Sequence, residues 1–174
     1  MKIAIIGYSG SGKSTLARKL GELYNLPVLH FDKVQFRPNW EIRPQKSKEV
    51  MTKAFLDLHD SWVIDGNYSK LYFERRMAEA DVIIQLRFNR LSCLSRVTGR
   101  YWKYKDSTRT DMADGCKEKL DWEFVKWVLR DGRSKEVRER YNGVIARYPE
   151  KTIVIKNQRQ LNKVQNYINK VITK

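Results

Sequence analysis

The chain of 174 residues has only two cysteines, Cys93 and Cys116, and they form no CxxC pair. That excludes a disulfide framework and leaves too few ligands for a structural zinc site. A reducing cytoplasm is the expected location. No apolar run approaches the roughly 18 residues that a membrane helix needs. The first residues read as a strand, not as a signal or transit peptide. Internal repeats and low-complexity segments are absent. Acidic residues are the scarcer charge: 20 Asp and Glu stand against 35 Lys and Arg, a net charge of +15. The excess is uneven, with 14 basic against 10 acidic residues over 1–87 and 21 against 10 over 88–174. Such a balance suits a weak nucleic-acid surface, or a solvated basic face with arginines that hold polyphosphate. At 32% charged and 41% hydrophobic residues, the chain has the composition of a globular protein with one substantial core.

What the sequence does have is Gly7-Tyr8-Ser9-Gly10-Ser11-Gly12-Lys13-Ser14-Thr15, a P-loop pattern without a mismatch. Ile3-Ala4-Ile5-Ile6 before it reads as a buried strand, and Leu16, Leu20 and Leu23 after it fall on one helix face. Strand, glycine loop and helix together make a phosphate cradle. Glycines turn backbone N–H groups toward a polyphosphate, and the helix N-terminus adds a favourable dipole. Gly7, Ser9, Gly10, Ser11, Gly12, Lys13, Ser14 and Thr15 are therefore the candidate ATP-binding residues. Lys13 would reach the β- and γ-phosphates, and the Ser14 hydroxyl would ligate Mg²⁺.

Strand and helix patterns alternate along the chain. Leu26–His30 reads as a second strand. Residues 31–40 read as a loop that covers something, and 44–60 as a helix with Val50, Ala54, Phe55 and Leu58 on one side. Trp62–Asp65 is a third strand, residues 69–80 look helical, and Asp81–Leu86 is a fourth strand. A helix over 89–103 leads to a polar, mobile excursion over 104–119. Residues 120–148 are largely helical, broken near Gly132. Thr152–Ile155 is the fifth strand and 158–172 a terminal helix. This order predicts an α/β fold of three layers around a five-stranded, mostly parallel sheet, with ligands at the C-terminal strand ends. The organisation expected is a single kinase-like domain over 1–174, with an acceptor-side segment near 31–60 and a small helical lid near 101–122.

Two further strand ends carry acids. Asp65 closes an apolar strand, as the Walker B acid of P-loop proteins does, and would hold Mg²⁺ with Ser14. Asp32 follows the second strand. There it would take the proton of an acceptor hydroxyl, or it caps the next segment. A monophosphate acceptor needs arginine clamps instead, and Arg37, Arg43, Arg75 and Arg76 are available for that. Arg96 and Arg100, four residues apart on a helix, share a face and would clamp a triphosphate, or belong to a solvated basic helix. Arg109, Arg130, Arg133 and Arg138 follow. The aromatic residues at 101, 102, 104, 122 and 127 suit core or lid packing, or base stacking. His30 reads as a strand-end residue and His59 as a surface one.

Gly7–Thr15, Asp65-Gly66 and Arg96-Val97-Thr98-Gly99-Arg100, in this order, resemble the adenylate-kinase-like branch of P-loop kinases. Arg138, with Arg130, is similar to that family's catalytic arginines beyond the lid. Gly7–Thr15, His30-Phe31-Asp32, Asn39-Trp40 and Thr108–Cys116 are similar to segments of bacterial DNA topology modulation proteins. The resemblance implies a five-stranded ATP-binding kinase fold. Together with the residue readings above, the expected catalytic set is Lys13, Asp32, Arg96, Arg100 and Arg138, under a lid that closes over the site. The family's acceptor-contacting Asp-Gly-Phe-Pro-Arg is here Asp65-Gly66-Asn67-Tyr68-Ser69, without the arginine, and lid cysteines are absent, so AMP is not the expected acceptor. The expected activity is transfer of the γ-phosphoryl group of Mg·ATP to a nucleoside, nucleotide or other hydroxyl-bearing small molecule. The alternative is a nucleic-acid-associated ATP-binding protein that affects DNA topology.

Overall fold

Five short strands supply the frame, and the chain is described here from a computed structural model over residues 1–105, 111–118 and 120–172. They are β1 (Lys2–Gly7), β2 (Val28–His30), β3 (Trp62–Asp65), β4 (Val82–Leu86) and β5 (Thr152–Ile155). All neighbours pair in parallel, in the spatial order β2-β3-β1-β4-β5. The register sets Ile5 beside Asp65, Gly7 beside Leu86 and His30 beside Asp65. β3 and β4 are buried along their whole length, and β1 from Ile3 onward. Such continuous apolar strands belong to a sheet covered on both faces. Burial of each large aliphatic side chain there contributes about 1.5–3 kcal/mol.

The helices are α1 (Lys13–Tyr24), α2 (Phe31–Gln35), α3 (Gln45–Leu58), α4 (Phe73–Glu79), α5 (Arg90–Tyr104), α6 (Trp122–Leu129), α7 (Lys135–Arg147), α8 (Gln158–Asn162) and α9 (Val164–Ile172). From β1 the chain moves to β2 on one side, and each later step moves the other way. Right-handed crossovers then put α1 on one face of the sheet and the helices after β2, β3 and β4 on the other. The connections diverge at the C-terminal end of β1, which is where a parallel sheet opens a crevice.

The structure corrects the sequence reading in several places. Residues 31–35 form a helix. On α3 the buried side chains are Lys48, Thr52 and Leu56, whereas Val50 and Leu58 are 60% and 80% exposed. The helix before β4 is the short α4, preceded by turns. Lys163 divides the terminal helix in two. Within the expected lid, residues 111–118, read from the sequence as part of a mobile excursion, form turns that are docked in place. Asn39 N–H donates to the Asp114 carbonyl at 3.3 Å. Trp40 donates from its backbone to Cys116 Sγ at 3.3 Å and from Nε1 to the Lys117 carbonyl at 3.1 Å. Asp106, Ser107 and Thr108–Thr110, with Arg109, lie outside the described residues. Among the described residues no helix is long and apolar enough to cross a membrane.

Candidate active site

The loop between β1 and α1 borders a cleft of about 1260 Å³. Its backbone is fixed from within, since Ser11 N–H donates to the Tyr8 carbonyl at 3.1 Å. Gly10 has φ +74°, and a Cβ there would lie 2.6 Å from Val97 Cγ2 and 2.7 Å from the Cys93 carbonyl oxygen. Only glycine lets the loop pass so close to α5. Ser9, Gly10, Gly12, Lys13, Ser14 and Thr15 line the cleft. Gly7 and Ser11 are buried behind it and serve through their backbones.

Lys13 opens α1, and its Nζ folds back to donate to the Tyr8 carbonyl at 3.1 Å. Burial pulls its pKa below the usual lysine value, against the opposing pull of the Asp32 and Asp65 carboxylates. Both acids line the same cleft. Asp65 is buried, and its Oδ1 accepts from His30 Nδ1 at 2.8 Å. A carboxylate only accepts, so the ring proton sits on Nδ1. The structure thus gives His30 a part that its sequence position did not show: it orients the acid of the neighbouring strand. Asp32, on α2, accepts from the Tyr68 hydroxyl at 2.8 Å. Burial and the Asp32 charge push the Tyr68 pKa up, so the phenol stays protonated and donating.

The segment after Asp65 is the largest finding that the sequence did not announce. Gly66 has φ +135° and packs so tightly that a Cβ would lie 2.7 Å from Phe31 Cβ. Asn67 then turns back to β1. Its Oδ1 accepts from Gly7 N–H at 2.9 Å, and its Nδ2 donates to the Gly7 carbonyl at 2.6 Å. Gly66 N–H already donates to the Ile5 carbonyl. The Asn67 amide therefore continues the ladder past the end of β3, in the place of a backbone amide, and anchors the start of the phosphate loop.

Arg96 and Arg100 both line the cleft. Arg96 is tied to the loop itself: Nη1 donates to the Ser11 carbonyl at 2.8 Å and Nη2 to Gln158 Oε1 at 2.7 Å. Its guanidinium lies 3.9 Å from the Phe88 ring centroid. Arg100 Nε donates to Glu118 Oε2 at 2.9 Å, joining α5 to the docked 111–118 segment. Arg138 is exposed on α7 and does not line the cleft; Arg140 does. Arg133 lies 3.9 Å from the Tyr8 ring centroid and donates to the Val128 and Phe88 carbonyls. It supports the loop from behind.

The four arginines available to clamp a monophosphate all have other partners. Arg37 pairs with Glu41, and Arg75 with Asp57 and Glu79. Arg43 Nε donates to the Val34 carbonyl at 3.1 Å. Arg76 is fully buried, donates to the Leu71, Gly66 and Tyr68 carbonyls, and stacks on Phe31. Burial pulls its pKa down to about 9, which leaves it charged at neutral pH.

Among the described residues, no group of three or more His, Cys, Asp or Glu side chains is set to hold a metal. Ser14 and Asp65 offer a hydroxyl and a carboxylate to the same cleft. That donor set fits Mg²⁺, which binds through one or two carboxylates, substrate phosphates and water.

No protein-family model matches the chain, and no curated protein matches it. Solved structures do. A deoxyadenosine kinase from M. mycoides with bound dATP aligns at TM-score 0.58 and 15% identity, over 97% of this chain and 100% of that one. The same enzyme with dCMP and dCDP bound aligns at 0.57 and 16%, over 98% and 100%. An uncharacterized protein from Eubacterium ventriosum aligns at 0.53 and 17%, over 98% of each chain. At this identity the likeness is one of fold: the chain shares with these structures an α/β architecture, here a five-stranded parallel sheet with helices on both faces.

Proposed function

We propose that the protein is a Mg·ATP-dependent phosphotransferase acting on a small hydroxyl-bearing molecule. The observation that carries this reading is the meeting of the P-loop lysine with two carboxylates, Asp65 at the end of β3 and Asp32 on α2, in one cleft. A deoxyadenosine kinase with the same fold supports the choice of a kinase. The loop amides and Lys13 would hold the triphosphate, and Arg96 would brace the loop against α5. Bound Mg²⁺, held by Ser14 and Asp65, would neutralise charge on the phosphates. Asp32, oriented by Tyr68, would accept the acceptor's proton as its oxygen attacks the γ-phosphorus. The new bond joins that oxygen to phosphorus, the β,γ-bridging P–O bond breaks, and ADP leaves. The 111–118 segment, docked on Asn39 and Trp40, would help exclude water from the cleft.

Two variants separate the steps. Lys13→Ala should abolish both nucleotide binding and transfer, with little loss of stability. Asp32→Asn should keep nucleotide binding and lose transfer. Full turnover in either variant refutes its assigned role.

A second reading, a nucleic-acid partner for an ATP-binding protein, is favoured by one feature. Trp102 is 66% exposed, and Lys105 Nζ lies 5.4 Å from its ring centroid, in the more basic half of the chain. The resemblance to DNA topology modulation proteins fits this reading. Duplex DNA titrated at two salt concentrations tests it: electrostatic binding weakens steeply with salt, and no binding near ~0.15 M salt, a physiological ionic strength, counts against it.

A further inference from the structure

The acceptor half of the cleft holds a cation that neither the P-loop nor Asp32 explains. Lys48, on the first turns of α3, is only 8% exposed and lines the cleft. Its Nζ donates to Gln35 Oε1 at 3.0 Å. Among the described residues no carboxylate lies within ion-pair distance of it. An ammonium taken out of water with one neutral oxygen for company is unfavourable, and a counter-ion relieves it. Two neighbouring features on this wall have the same sign. Gln45, the first residue of α3, lines the cleft as well. That helix end has Pro44 as its N-cap, no side-chain cap and no acidic residue in its first turn. Its leading N–H groups add a positive dipole end beside Lys48. Lys70 stands exposed on the same wall.

Position relates this cation to the chemistry. Gln35 follows Asp32 by three residues on α2, so both lie on one face, and both line the cleft. The proton acceptor and the partner of Lys48 thus address the same space.

We infer that the phosphoryl acceptor is itself an anion, a small hydroxylated phosphate or carboxylate whose charged group is met by Lys48 at the N-terminus of α3. The inference rests on the kinase reading for the word acceptor, but the anion site stands or falls by its own test. Protein loaded with Mg²⁺ and a non-hydrolysable ATP analogue, so that the P-loop is filled, is titrated calorimetrically with inorganic phosphate and separately with acetate. Wild type should bind at least one of them. Lys48→Met should raise the Kd about tenfold or more, the effect of one lost charge-assisted contact, and Lys48→Arg should restore part of it. Analogue binding and melting temperature verify that each variant is folded. No binding by wild type, or equal binding by folded Lys48→Met, overturns the site. The phosphate and acetate arms show which anion is preferred.

Transfer is then measured with matched acceptor pairs, glycerol against glycerate and a sugar against its phosphate. The inference expects the anionic member to be preferred, and Lys48→Met to raise its KM with the KM for ATP unchanged. Preference for neutral members would keep the kinase and overturn the anion site. No transfer at all, with phosphate binding still dependent on Lys48, would keep the site and overturn the kinase.

Discussion

Replacing Asn67 with alanine should loosen the phosphate loop at its root. Two hydrogen bonds go at once, Gly7 N–H to Oδ1 at 2.9 Å and Nδ2 to the Gly7 carbonyl at 2.6 Å. Gly7 is buried, and β3 ends too early to supply a backbone partner there. A stranded buried donor or acceptor costs about 1–3 kcal/mol. The site is only partly buried, so the lower part of the range applies to each group, about 2–3 kcal/mol together. For a chain of this size that corresponds to a melting temperature lower by about 4–10 °C. Nucleotide affinity should fall as well, because part of the binding energy would go to ordering the loop. Asn67→Asp is the sharper variant. It keeps an acceptor for Gly7 N–H but turns an oxygen toward the Gly7 carbonyl, so it should be at least as destabilised as alanine. Thermal denaturation and a nucleotide Kd check both. Melting of Asn67→Ala within about 1 °C of wild type, well below the shift expected, with unchanged affinity, would refute the ladder argument; an Asp variant as stable as wild type would refute the donor role of Nδ2.

Other outcomes follow from the same geometry. Gly10→Ala forces a side chain onto left-handed backbone, at about 1–2 kcal/mol, and into Val97 and the Cys93 carbonyl. It should abolish nucleotide binding before it unfolds the chain, which parallel binding and melting measurements would show. Burial lowers the Lys13 pKa, so its charge is lost on the alkaline side at a lower pH than for an exposed lysine. The nucleotide Kd should therefore begin to rise below the ordinary lysine pKa of 10.5. The free protein has the opposite sign: between the lowered pKa and 10.5 the unfolded chain holds the extra proton, so stability rises with pH. Tyr68→Phe removes the hydrogen bond to Asp32, and should reduce turnover while leaving the nucleotide Kd unchanged in a binding titration.

Much of the frame was legible because local signals agreed. The strand, glycine loop and leucine spacing around residues 3–23 all pointed one way, and the apolar runs at 62–65, 82–86 and 152–155 are strands. What stayed hidden depended on contacts distant in sequence. On α3, the apolar Val50 and Leu58 suggested one face, but the helix buries the face of Lys48, Thr52 and Leu56: Leu56 joins the core, and Lys48 turns to Gln35 and the cleft. Apolar spacing cannot register a lysine whose burial depends on another helix. Residues 31–35 were too short and too close to turn residues to read as a helix. Asn67 looked like a turn residue; its bond to Gly7 spans 60 positions. His30 gained its partner only when β2 paired with β3. Arg76 looked like one more phosphate clamp, and only the folded chain shows that its donors are taken by backbone carbonyls. Arg138 followed from resemblance alone, and it stands exposed on α7, outside the cleft lining.

The central claim is that this cleft moves a phosphoryl group to a small molecule. The most direct test follows the label of γ-labelled ATP, with Mg²⁺, across a panel of nucleosides, nucleoside monophosphates, sugar phosphates and hydroxy acids, with Lys13→Ala alongside. The account predicts that label appears on one class of acceptor in place of inorganic phosphate, and that Lys13→Ala abolishes it. Label that stays on bound ATP across the whole panel, or transfer that persists in Lys13→Ala, would contradict it.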